Sequence, residues 1–315
     1  MSATRQAADL ARASGLRVLV CFKVTPDFEA LRDADWRAAA TRGAVETRYV
    51  RRVLNCFDES ALELALRLAE ALAQRGVAAE LDALSIGGRE VEPYLKTLLA
   101  LGYERATRVP PAPEPGSADA GLAVAGTGAG ADETDVAQAE LDFTPGVVAA
   151  IVAAYAERVA HSDLIVLGWR SGPGDSGTVP FRVAETLDWP CLTQVTEVAP
   201  LGDRRLQVAC TADDGPLRLT LRDPCVLAVG NAVVSRLRVP TLKDRLARRE
   251  RPVEVLAAAD LGVDIAALRR RETCRLTGLE TIDRSRRGVV IEGPSPRAKA
   301  RTLFSSCLRD ILETL

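Results

Sequence analysis

Short unbroken apolar runs along the chain alternate with stretches in which apolar positions recur three and four residues apart. RVLVCF (17–22) is nearly continuous in apolar character, as a strand buried on both faces of a parallel sheet requires. A polar stretch then reads as a long loop to about residue 54. Asp58 or Ser60 starts a helix that runs to Gly76. Ser60 and Glu63 have capping-box spacing, Ala61, Leu62, Ala65, Leu66, Leu68, Ala69 and Leu72 share one face, and Gly76 supplies the C-cap. AELDALS (79–85) predicts the next strand, Gly87-Gly88 a turn, 89–101 a helix closed by Gly102, and RATRV (105–109) a third strand. This β-α-β-α-β order predicts an α/β fold with a doubly wound, mostly parallel sheet.

The alternation breaks at 110–142, rich in Pro, Ala and Gly and without a sustained period, which reads as a flexible surface insertion. Gly126, Gly128 and Gly130 form a GxGxG there, but no predicted strand leads into it and no helix starts on it, so it does not make a dinucleotide fingerprint. The pattern resumes with a helix at about 144–160, a strand at 163–168, a helix at about 178–187 and a strand at about 191–198. Asp213-Asp214-Gly215 between RLQVACT and PLRLTLR predicts an antiparallel hairpin, and CVLAVG (225–230) completes the sheet. From about 231 the chain is expected to leave it. The organisation is then a flexible start (1–15), an α/β domain (16–230), a segment at 231–252 and a C-terminal arm at 253–315 that packs on a partner.

Composition narrows the function. The 315 residues hold 41 Lys+Arg against 43 Asp+Glu, a formal net charge of −2, which excludes a generally basic nucleic-acid coat. Aromatic residues make up 4% of a chain that is 47% hydrophobic, so the core must be built from Ala, Val and Leu. Seven scattered cysteines without a CxxC pair fit buried thiols in a reducing compartment, not a disulfide framework or zinc site. No apolar run approaches the about 20 residues that span a bilayer, and the first fifteen residues lack a hydrophobic signal core. The expectation is a soluble, cytoplasmic protein. A single histidine, His161, leaves triads and His-rich metal sites without partners, and it reads as a helix-terminal or surface residue.

In an open parallel sheet, ligands bind outside the carboxyl ends of strands where connections diverge. Three such ends follow Phe22, Ser85 and Gly168. The last is richest: GWRSGPGDSGTVP (168–180) places four glycines with Asp175, Ser176 and Thr178 directly ahead of a helix. Glycines allow backbone N–H groups to approach a phosphate, and the helix N-terminus adds its positive end. An ordinary Gly-rich turn with an Asp or Ser N-cap is the alternative.

RVLVCFKVTPD, NCFDESALELALRLAE, LSIGG, LLALGYERATRV, SDLIVLGWRSGPGDSGTVPFRVAETLDWP and VPTLKDRLARRERPVEVLAAADLGVD, in that order, resemble the beta subunit of electron transfer flavoprotein, the ETF-beta/FixA family, over about residues 16–265. The resemblance implies an adenine nucleotide alpha hydrolase-like fold and an electron-carrier subunit without catalytic side chains of its own. It would pair with an alpha subunit that holds most of the redox FAD. The beta subunit itself usually carries a structural AMP, or a second FAD in bifurcating members. Electrons would arrive from a flavin dehydrogenase of the acyl-CoA or N-methyl amine type and leave for a membrane quinone oxidoreductase.

Position by position, the resemblance puts the nucleotide among Cys21, Asn55, Cys56, Phe57, Asp58, Ile86 and the 168–179 loop, with Gly168, Arg170, Gly174, Asp175, Ser176, Gly177, Thr178 and Val179 as its contacts. Cys56 stands where the family has Pro. Phe57 and Phe28 are candidates to face the partner's flavin, with plain apolar packing as the alternative. The loop departs from the family pattern: Asp175 is kept, but Pro173, Thr178 and Pro180 replace an Asp, a Gln and a Gly. Residues 231–243 resemble the family's partner-recognition loop, with Leu237 as anchor, Leu242 as the alternative, and Arg238 and Lys243 as flanking charges. A nucleotide-binding regulatory or sensor protein on the same fold, having lost electron transfer, is the competing reading.

Overall fold

The computed structural model describes residues 15–43, 45–111, 144–172, 176–202, 204–272, 278–280, 288 and 290–312. Two compact units are present, one from residues 1–32 with 46–277 and one from 33–45 with 278–315. The strands are β1 (Gly15–Cys21), β2 (Val24–Pro26), β3 (Arg52–Leu54), β4 (Ala78–Ile86), β5 (Arg105–Val109), β6 (Leu164–Gly168), β7 (Cys191–Gly202), β8 (Arg205–Ala212), β9 (Gly215–Arg222), β10 (Cys225–Val229) and β11 (Glu254–Val255). The helices are α1 (Asp33–Arg42), α2 (Cys56–Ala73), α3 (Glu92–Leu101), α4 (Pro145–Tyr155), α5 (Val179–Leu187), α6 (Leu242–Ala247), α7 (Ile265–Arg269), α8 (Pro296–Leu303) and α9 (Arg309–Leu312).

The larger unit is the doubly wound α/β fold that the sequence predicts. Its nine-stranded sheet has the order β11-β5-β4-β1-β6-β10-β7-β8-β9, parallel from β11 to β7 and antiparallel through β8 and β9. Side chains alternate across a strand, so the central β1 feeds two cores. Val18 and Val20 join Leu62, Leu68, Leu95 and Leu98 of α2 and α3 on one face. Leu19 and Cys21 join Ile151, Val152 and Val183 of α4 and α5 on the other. Leu19 is 0% exposed, and its truncation to Ala costs about 2–5 kcal/mol.

Several expectations change. The stretch to residue 54 is not simply a loop, because β2 and β3 pair there as a small antiparallel sheet, Val24 opposite Leu54. Helix α2 starts at Cys56, and the Ser60–Glu63 capping box does not form. Ser60 Oγ donates instead to the Cys56 carbonyl at 3.1 Å, and Glu63 is engaged by Arg238 and Arg67. Gly102 closes α3 as predicted, at φ +115°. The sheet does not end at 225–230. The chain returns as β11 beside β5, and Ala258 and Leu261 pack into the second core, so residues 253–272 belong to the larger unit and not to an arm. Of the expected flexible start at 1–15, Gly15 belongs to β1 and the rest lies outside the described residues, as does nearly all of the 110–142 insertion.

In the smaller unit, α1 carries Asp33 and Asp35 in its first turn and Arg42 in its last, as the helix dipole favours. Ser295 caps α8, its Oγ accepting from the Ala298 amide at 3.2 Å. No helix among the described residues is long and apolar enough to cross a membrane.

Candidate functional site

From β1 the chain builds β4 and β5 on one side, then crosses to place β6 on the other. The carboxyl ends of β1 and β6 are therefore the switch point at which connections diverge. A cleft of about 130 Å³ opens there, floored by Cys21, Leu84, Ile86, Leu167 and Gly168 and walled by Pro145, Val148 and Val152 of α4. Phe22, Lys23, Asp58, Trp169, Arg170, Ser171, Ser176, Gly177, Val179 and Pro180 also line it.

Asp58, in the first turn of α2, is buried with both carboxylate oxygens occupied by backbone. Oδ2 accepts from the Lys23 amide at 2.9 Å and Oδ1 from the Gly168 amide at 2.7 Å. One side chain thus ties the end of β1 to the end of β6. Burial pushes its carboxyl up from 3.8 to about 6, against the lowering effect of the Asn55 side chain, the two amides and the Lys23 charge. The clasp requires glycine at 168, since a Cβ there would lie 2.3 Å from Asp58 Oδ1 and 2.8 Å from its backbone nitrogen.

Asn55 adds a second tie. Its amide donates to the Arg170 carbonyl at 2.7 Å, while its backbone N–H donates to the Lys23 carbonyl at 3.0 Å. Lys23 Nζ reaches Ser171 Oγ at 3.4 Å. Phe57 meets the Trp169 ring edge-on at 6.2 Å, and the Arg170 guanidinium lies 3.8 Å over that ring, a cation–π pair. Gly177, at φ +61°, makes the turn into α5, where Ser176 Oγ accepts from the Thr178 amide at 3.3 Å. Burial, and secondarily Asp58, pushes the Cys21 thiol far up, so it stays protonated and is no thiolate nucleophile.

The fold brings together Cys21, Asp58, Ile86, Gly168, Arg170, Ser176, Gly177 and Val179 from the sequence-expected set. Asn55 and Phe57 stand directly behind the lining, whereas Cys56 is exposed at the start of α2. Phe28 sits in a short 3-10 turn and does not line the cleft, and Gly174 and Asp175 lie outside the described residues. The α5 N-cap is Thr178, with no side-chain cap bond, so the segment is not a plain Asp- or Ser-capped turn. Sequence reasoning missed Lys23 and the α4 wall, and it placed Trp169 and Ser171 only as part of the 168–179 loop, without singling them out. The one available signal was that Lys23, one of four lysines, directly follows a strand end.

The 231–243 segment is bonded to its own chain. Leu237 packs against the first core and its amide donates to Glu59 Oε1 at 3.1 Å. Arg238 spans Glu63, at 2.7 Å, and Glu70 on α2. Leu242, by contrast, is 72% exposed, and Lys243 is exposed beside it on α6. Among the described residues no group of three His, Cys, Asp or Glu side chains is placed to hold a metal.

The family model of the electron transfer flavoprotein domain matches residues 111–261. A protein of Escherichia coli K12, YgcR, provisionally assigned as an electron transfer flavoprotein subunit, is 28% identical over 302 residues, spanning 95% of this chain and 100% of its own. The mouse electron transfer flavoprotein beta subunit is 29% identical over 252 residues, 80% of this chain and 85% of its own. The beta subunit of Syntrophomonas wolfei is 29% identical over 247 residues, 78% and 81% of the two chains. Together these likenesses support a divergent member of the electron transfer flavoprotein beta-subunit family.

Proposed function

We propose that this electron transfer flavoprotein subunit pairs with an alpha subunit, holds an adenine nucleotide, AMP, in the cleft, and relays electrons through FAD bound mainly by its partner. The observation that carries this reading is the charge pattern at the switch point. Lys23 and Arg170 bring two cations, while the one acid among the described lining residues, Asp58, has both oxygens occupied by backbone amides. Such a site favours an anion.

The residues present fit the nucleotide. Val148, Val152, Leu84 and Ile86 offer an apolar slot for a planar base, and Lys23, Arg170 and the glycine-bearing turn before α5 suit a phosphate. Gly177 supports the same reading, because its φ of +61° is strained for a residue with a Cβ. Trp169 forms the aromatic edge of the cleft with Phe57 packed behind it, and the two are the candidates to face the partner's isoalloxazine. FAD, when bound, supplies the one- and two-electron chemistry. This chain's side chains hold and orient, and no catalytic step is assigned to them.

The donor is a flavin dehydrogenase and the acceptor a quinone oxidoreductase. With Leu237 packed on its own core, Leu242 is the apolar side chain offered to such a partner, and Lys243 steers toward acidic surfaces. Co-expression with an alpha-type chain is expected to give a yellow 1:1 complex that releases FAD and AMP on denaturation, identified by mass spectrometry. A colourless monomer indifferent to the alpha chain overturns the proposal, and release of ATP or a cyclic nucleotide favours a sensor instead.

A further inference from the structure

We propose that Asp58 is a protonation-sensitive clasp that positions the two strand ends of the cleft: ionised, it holds the Lys23 and Gly168 amides together, and protonated, it releases one of them and loosens the site.

The geometry allows little else. Two amide donors converge on one carboxylate, at 2.9 Å and 2.7 Å, and a protonated carboxyl turns one oxygen from acceptor to donor. That oxygen is then a much weaker acceptor with a hydrogen of its own to place, so its N–H is held less tightly and the β1 end or the β6 end is released. Both ends line the cleft, so the movement is felt by whatever the cleft holds. The groups around Asp58 set where this happens. Cys21 and Lys23 approach from β1, Arg170 follows β6, and α4 presents only apolar side chains to the cleft. Glu59 and Glu63 on the same helix are bonded to Leu237 and Arg238. Burial outweighs the Lys23 charge and the hydrogen bonds, so the change falls near pH 6 and not in the ordinary carboxylate range.

Two measurements on the full-length chain test the clasp. Without ligand, Trp169, which follows Gly168 directly, should report release as a change in fluorescence with a midpoint near pH 6. The signal should vanish in Trp169→Phe, which assigns it, and in Asp58→Asn. No transition between pH 5 and 8, or one that persists in Asp58→Asn, overturns the clasp. Should Asp58→Asn fail to fold, the amide resonance of selectively labelled Gly168 in the wild-type chain replaces it, and a resonance that does not titrate overturns the clasp equally.

The second measurement rests on the nucleotide reading. Only the ionised clasp presents the formed cleft, so AMP affinity should fall about fourfold from pH 7.5 to 5.5, half a unit below the midpoint. AMP's own phosphate titrates in this range, and Asp58→Asn, measured in parallel, removes that contribution. A rise in affinity on acidification relative to the variant, as loss of a negative charge alone would give, overturns the clasp. An intact fluorescence transition with no AMP binding at any pH refutes AMP as the ligand and leaves the clasp standing.

Discussion

The Gly168 amide donates to Oδ1 of Asp58 at 2.7 Å, and a Cβ built on Gly168 would fall 2.3 Å from that same oxygen. The close approach that makes the bond also forbids a side chain. The added carbon would meet the Asp58 backbone nitrogen at 2.8 Å and Phe57 Cβ at 2.9 Å, so no rotamer change relieves it and the start of α2 must shift. Gly168→Ala is therefore expected to lose about 2–3 kcal/mol in urea denaturation with an unchanged m-value. The same substitution at Gly146 would meet only the Glu272 and Arg182 side-chain ends and should cost less.

Two carboxylates on α2 should titrate with opposite effects on stability. Asp58 is raised from 3.8 to about 6 by burial, so its ionisation costs folding free energy. Its contribution is largest in acid and declines as pH rises from about 4 to about 6. Burial also acts to raise Glu63, but hydrogen bonds from Arg238 and Arg67 outweigh it and hold the carboxyl below its ordinary 4.5. Its contribution is present above that value and is lost as pH falls below it. Melting temperatures across pH 4–7 should thus rise toward acid more steeply in Glu63→Gln than in wild type, and less steeply in Asp58→Asn. Parallel curves for all three proteins would contradict this assignment.

The Arg238 guanidinium leaves Glu63, 2% exposed, without its main partner when it is removed. Arg238→Ala should cost about 2 kcal/mol, discounted from a fully buried pair because the arginine side chain is 38% exposed. Most of that cost is the stranded carboxylate. The double variant with Glu63→Gln should recover part of the loss, and a double-mutant cycle in urea reads the coupling directly.

The strands and helices of the sheet were legible because their periodicities are strong: the apolar run at 17–22 stands within two residues of β1, and the helical face from Ala61 to Leu72 lies wholly within α2. What could not be read is what depends on distant partners. Glu63 looks like a capping residue until Arg238, 175 positions on, claims it. β11 is two residues long, too short for any period, and exists because Leu256 and Leu261 reach the second core. In the site, Gly168, Asp58 and Ser176 followed from chemistry and resemblance. Lys23 did not, because its place in the cleft comes from the side-by-side packing of β1 and β6, which only the folded sheet creates. Leu237 fitted a docking loop by position alone, while its burial is a property of the helix beneath it.

Trp169 carries Phe57 on its edge and Arg170 over its face. Trp169→Ala removes both supports at once and releases the arginine from its stacked position. Nucleotide affinity is expected to drop about tenfold, corresponding to about 1.4 kcal/mol for lost stacking and preorganisation, with a smaller loss for Trp169→Phe. Isothermal titration with AMP checks the order, and equal affinities for the two variants would remove the aromatic ring from the account.

Leu237 and Leu242 separate folding from docking. Leu237 packs against the first core beneath the loop, so Leu237→Ser should lower stability by about 1–2 kcal/mol. Leu242 is 72% exposed on α6, a short helix held by the capping box of Thr241 and Asp244. Leu242→Ser should leave stability within about 0.5 kcal/mol of wild type. Its effect should fall on the encounter with the electron donor. In the assembled flavoprotein, reduction by the dehydrogenase should need about tenfold more carrier for half-maximal rate, as the loss of a buried apolar anchor gives, while the maximal rate is kept. A donor that reduces the Leu242→Ser protein with unchanged half-saturation, while Leu237→Ser impairs it at full folding, would move the anchor back to Leu237.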